Sequence, residues 1–159
     1  MYEERVAAGR AAFQQRDYLA AKKAFDEAIQ IKPLPPDLKN AYDTATQQAA
    51  KLSVARTLFE ERKYADAIAA LEPIRAREPD NVSVRRMLID AYFNRGALAL
   101  QQDRLAEAIR QFDAVLKEDP NDELARRSRE LAERYEGQPR DLLYRIYVKY
   151  LPMRQDVGS

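Results

Sequence analysis

The sequence contains no cysteine and no histidine. Their joint absence removes thiol nucleophiles, imidazole bases, zinc sites and disulfides, and with them most routes to catalysis. A chain without thiols survives in cytosol or periplasm alike, so the compartment stays unknown, with the cytoplasm slightly favoured. Glycine is sparse, at 4 residues in 159, and nothing reads as a strand-rich fold. No apolar run approaches the roughly 20 residues that cross a bilayer, and MYEERVAAGR lacks the basic-then-apolar profile of a secretory signal. That opening stretch starts almost inside a helix pattern and the chain ends in Gly-Ser, as expected of a piece of a longer protein. What is present is balanced: 46% hydrophobic residues against 33% charged, with a formal net charge of +1, which suits one domain over 1–159 with a sizeable core. The strings AAF, AAKKAF, AAL and ALAL are rich in good helix formers and point to an all-α fold.

Self-similarity organises the chain. Three segments align: GRAAFQQRDYLAAKKAFDEAIQIKP from Gly9, ARTLFEERKYADAIAALEPIRAREP from Ala55 and GALALQQDRLAEAIRQFDAVLKEDP from Gly96. In each, a small residue (Gly9, Ala55, Gly96) is followed twelve residues later by alanine (Ala21, Ala67, Ala108), and twelve later again by proline (Pro33, Pro79, Pro120). Small residues at that spacing fit two antiparallel helices that cross closely. Short turns between them fall near Asp17, Lys63 and Arg104. The second helices carry Ala21, Phe25 and Ala28, then Ala67, Leu71 and Ile74, then Ala108, Phe112 and Val115, a helical stripe that marks core. The prolines end those helices, and Asp80-Asn81 and Asn121-Asp122 can cap the next ones.

This arrangement resembles the tetratricopeptide repeat family, whose pattern places a small residue in the first helix and A-x3-F-x2-A-x4-P through the second. Ala21, Phe25, Ala28 and Pro33 match throughout, while the other copies keep the alanine and the proline. The bulky position early in the first helix is taken by Arg5, Lys51 and Tyr92. The resemblance implies a right-handed superhelical stack of antiparallel helix pairs, about eight helices in all. Its repeats would span 2–33, 37–79 and 82–120, with C-terminal capping helices at 122–151.

Family repeats recur every 34 residues. Here 46 residues separate Pro33 from Pro79 and 41 separate Pro79 from Pro120. Helical spacing of the extra apolar residues predicts one helix from Asp37 to Glu61 and a third-repeat first helix lengthened from Val84. The two overhangs would share a small core of Leu38, Tyr42, Val84 and Leu88. After Pro120, Leu124, Leu131 and Tyr135 give a capping helix closed by Gly137. In DLLYRIYVKYL, Leu143, Ile146, Tyr147 and Tyr150 are expected to dock on the array. Tyr144 and Val148 would then point outwards, as a second interface.

The resemblance further implies a non-catalytic scaffold, part of a larger protein or complex, that binds a peptide or helix of a partner protein in its concave groove. At the groove positions stand Arg10, Phe13, Arg56, Phe59 and Asn94, the arginines being suited to carboxylates. The alternative is a self-assembly module, a homo-oligomer formed through the C-terminal apolar helix or the lengthened helices. The family's carboxylate clamp is absent, since its positions hold Val6, Arg10, Ser53, Asp90 and Asn94. Nucleic acid is not expected as a partner, because Arg85, Arg86, Arg126, Arg127, Arg129 and Arg134 lie among acidic residues that cancel their field. Membrane insertion, cofactors and metals are not expected either. Ser53, Ser83 and Ser128 have no base, and the carboxylates are dispersed.

Overall fold

Helix and tight turn alternate along the chain. A computed structural model describes residues 1–155, and among these there are nine α-helices and no strand. They are α1 (Tyr2–Gln14), α2 (Tyr18–Ile29), α3 (Lys39–Lys51), α4 (Ser53–Glu60), α5 (Tyr64–Arg77), α6 (Val82–Gln101), α7 (Leu105–Glu118), α8 (Glu123–Tyr135) and α9 (Leu142–Tyr150), with a 3-10 turn at Pro36–Leu38 before α3. Neighbours in sequence pack on one another, as in a helical repeat stack.

The turn inside each repeat has the same backbone chemistry. Arg16, Arg62 and Asp103 adopt left-handed φ values of 59°, 61° and 56°. The following amides, of Asp17, Lys63 and Arg104, donate to the carbonyls of Ala12, Leu58 and Ala99 at 2.9, 2.8 and 2.8 Å. These bonds close the first helix of each pair and reverse the chain. Glycine usually fills such positions; here three ordinary side chains carry the strain.

The small residues sit where the paired helices touch. A Cβ added at Gly9 would lie 2.3 Å from the Phe25 ring, and one at Gly96 would lie 2.8 Å from the Phe112 ring. In the second repeat the same two positions hold Ala55 and Leu71, both buried in one cluster. Glycine therefore goes with phenylalanine and alanine with the smaller leucine.

Three expectations about the added chain require correction. The helix expected from Asp37 to Glu61 is broken at Leu52, a turn residue that is 1% exposed, so nine helices replace eight. Leu52 at the break is buried in the second cluster, while α3 before it packs on the first repeat. The overhangs share no core. Leu38 and Tyr42 pack with Val6, Phe25 and Ala28 of the first repeat, whereas Val84 and Leu88 pack with Leu52, Phe59 and Leu71 of the second.

The start of α6 instead joins the first repeat's turn. Val82 donates its amide to the Arg16 carbonyl at 3.2 Å, Ser83 donates its hydroxyl to Asp17 at 2.9 Å, and Arg86 pairs with Asp17. Asp17 also caps α2, accepting from the Ala20 amide. With Phe93, Gly96, Ala97 and Leu100 buried, α6 is covered nearly all round and touches α2, α5, α7, α8 and α9.

In α9 the docked face is turned away from the one expected, and of the four residues expected to dock only Tyr147 packs on the core. Tyr144 and Val148 are buried at 3% and 9% exposure, while Leu143 and Tyr150 are 72% and 71% exposed. Tyr144 donates its hydroxyl to the Leu100 carbonyl at 3.0 Å, and its ring lies 5.1 Å from that of Tyr135. A tyrosine has both an apolar ring for the core and a donor for a carbonyl near the end of α6; leucine has only the first. Tyr147 shares a 2.9 Å hydrogen bond with Ser128. Tyr144 and Val148 are thus core residues and form no outward surface.

Candidate functional site

The middle of α6 presents Phe93 and Asn94 to the segment that follows α9. That segment leaves the helix in extended backbone at Leu151 (φ −64°, ψ 116°), and residues 151–155 carry no regular structure. Asn94 grips it at one residue. Its side-chain nitrogen donates to the Arg154 carbonyl at 2.7 Å, and its oxygen accepts from the Arg154 amide at 2.7 Å. A carboxamide satisfies one backbone unit in this way much as a neighbouring strand would. Asn94 is fully buried by this arrangement.

The Arg154 side chain is held as firmly. Its two terminal nitrogens reach the two oxygens of Asp122 at 2.7 and 2.8 Å, a forked charge-assisted pair. The guanidinium lies 3.9 Å from the centre of the Phe93 ring, within range of a cation–π attraction. Asp122 is also the N-cap of α8, accepting from the Ala125 amide at 3.0 Å. Partial burial works to raise the Asp122 carboxyl, but the Arg154 hydrogen bonds and charge, with the α8 amides, outweigh it and hold the group below the usual carboxylate range.

Met153 packs against both the second and the third repeat's clusters. Beside it a cleft of about 420 Å³ opens between Phe59, Glu60, Arg62 and Tyr64 on one side and Met153, Arg154 and Gln155 on the other.

Of the sequence-predicted residues, the structure gathers Phe59 and Asn94 around this segment. Phe59 is 4% exposed, packed edge-on against Tyr64 at 5.2 Å, so it lines the cleft as a wall and offers no free ring. Arg10, Phe13 and Arg56 lie elsewhere. Arg10 pairs with Asp37 at 2.6 Å, Phe13 packs edge-on against Tyr18 at 5.8 Å, and Arg56 borders a separate cleft with Leu19, Lys22 and Ala49. The sequence reading missed Asp122 as more than a cap, and missed Met153 and Arg154 altogether. No periodic signal marks them, because they belong to no repeat.

No helix among the described residues is long and apolar enough to cross a membrane. A family model described as Tetratricopeptide repeat matches residues 58–132, and a second of the same description matches residues 5–33. Together they cover most of the chain, leaving out residues 34–57 between the two matches and the residues after 132. No curated protein and no solved structure matches it.

Proposed function

Because the chain belongs to the tetratricopeptide repeat family, whose repeats generally mediate protein–protein interaction, we propose that it is a non-catalytic scaffold that holds an extended peptide of a partner protein. The face involved is formed by α4, the middle of α6 and the start of α8. One observation carries this reading: a non-helical segment already lies there, with Asn94 bonded to both the amide and the carbonyl of one of its residues. Backbone bonds of that kind serve any sequence, and the neighbouring pockets add selectivity. Selection of displayed random peptides on the full chain tests it. Enrichment of a short linear motif whose binding is lost in Asn94→Ala is the expected result. No enrichment, or binding indifferent to Asn94→Ala, rejects it.

A second reading, self-assembly, draws on the outer face of α9. Leu142, Leu143 and Tyr150 are all more than 70% exposed there, with Ile146 at 45%, and such adjacent apolar side chains are a usual site of association. Light scattering discriminates. A mass that rises with concentration and falls back to the monomer in Leu143→Lys/Ile146→Lys supports assembly; a monomer at every concentration rejects it.

A further inference from the structure

The polar contacts of residues 151–155 fall on one residue. Arg154 receives a forked carboxylate from Asp122, an aromatic face from Phe93 and two backbone bonds from Asn94. The Asn94 bonds hold the backbone and would serve any residue. The fork and the ring contact are specific for a guanidinium, since a lysine ammonium cannot fork to both oxygens of Asp122 while lying flat on a ring. The Asp122 carboxylate is held at the start of α8 by the Ala125 amide whether or not an arginine is present.

The anchoring of α9 is separate. Tyr144, Val148 and Leu151 bury that helix against α6 and α8, whereas Pro152 and Gln155 are exposed and Met153 and Arg154 are half-buried. The burial of α9 therefore does not depend on residues 152–155.

Resting on the peptide-groove reading above, we propose that Phe93, Asn94 and Asp122 form an arginine-reading pocket that the chain's own Arg154 fills. A partner with an extended segment bearing an apolar residue and then arginine enters by displacing residues 152–155. The tethered segment competes at an effective concentration on the order of millimolar. Apparent affinity for the partner falls by the fraction of time the pocket is open, so the segment acts as a built-in competitor that sets a threshold for binding.

The test is an NMR titration of full-length chains with the synthetic peptide of residues 151–155, LPMRQ, reading the Asn94 side-chain amide. An Arg154→Ala chain is expected to bind the peptide at least tenfold more tightly than the wild type, and to show no comparable binding of LPMAQ. Adding Asp122→Asn to the Arg154→Ala chain removes binding without unfolding α8, because asparagine caps a helix as well as aspartate. Equal binding by wild type and Arg154→Ala overturns the competition. Equal binding of LPMRQ and LPMAQ, or binding that survives Asp122→Asn, overturns arginine reading. If neither peptide binds Arg154→Ala while the random-peptide selection still yields an Asn94-dependent motif, the arginine pocket falls and the groove reading stands; if both fail, the groove reading falls with it.

Discussion

At the scale of single residues, the repeat interior is governed by paired volumes. Gly9 faces a fully buried ring, and the position of a new Cβ, 2.3 Å from a Phe25 carbon, leaves the ring nowhere to go. Gly9→Ala gains about 1 kcal/mol of helix propensity. Overpacking of a closed site typically costs about 1–3 kcal/mol, so a net loss of up to about 2 kcal/mol is expected in urea unfolding. The double variant Gly9→Ala/Phe25→Leu reproduces the Ala55 and Leu71 pair of the second repeat and should recover most of that loss, a coupling that a double-mutant cycle measures directly. The turns offer the opposite case. At Arg62 the left-handed backbone strains any residue with a Cβ. Arg62→Gly should raise stability by roughly 0.5–1 kcal/mol, a gain of about 1–4 °C in the melting temperature. The same change at Arg16 or Asp103 gains less, because each also gives up an ion pair, with Asp80 and Arg140 respectively. The small positions and the turns were legible in the sequence because both recur at fixed spacing. That Arg16, Arg62 and Asp103 take the left-handed conformation was not, since none is glycine.

At the scale of elements, α9 separates local pattern from docking. Its apolar residues cover so much of the helix that two different faces both look buried, and a count of apolar side chains favours the wrong one. The hydroxyl of Tyr144 decides, because it finds the Leu100 carbonyl while its ring fills the space beside Tyr135. Tyr144→Phe should cost about 1–2 kcal/mol by removing that bond in a buried setting. Tyr144→Ala should cost about 3–5 kcal/mol by leaving a cavity as well. Leu143→Ala, on the exposed side, should stay within about 0.5 kcal/mol of the wild type. Thermal or urea unfolding of the three variants checks the order. The break between α3 and α4 is a second case: Asp37 to Glu61 has an uninterrupted helical period, and the turn at Leu52 lies where packing passes from the first repeat to the second cluster.

At the scale of the whole molecule, the third-repeat helix α6 is where distant parts meet: the first repeat's turn at its start, α9 near its end, and residues 151–155 across its middle. The contact of Arg154 with Asp122 gives this junction a pH dependence. The Asp122 carboxyl is depressed in the folded chain, so its contribution is complete above its unfolded value of about 3.9 and is lost as pH falls through the lower folded value. The Asn94 and Arg154 amide resonances should therefore hold their positions from pH 7 to about pH 4 and shift below it. In Asp122→Asn that acid step should be absent. The sequence by itself determined the helix pairs, their turns, the buried stripes and the closely packed small residues, because each depends on side chains a few residues apart and repeats three times. Only the tertiary structure decided where the start of α6 rests, which face of α9 is buried, and that Arg154 lies between Phe93, Asn94 and Asp122. The bonds that fix them join residues 32 to 69 positions apart in the chain, outside any repeat, and are selected by which distant partners satisfy a buried donor, acceptor or charge.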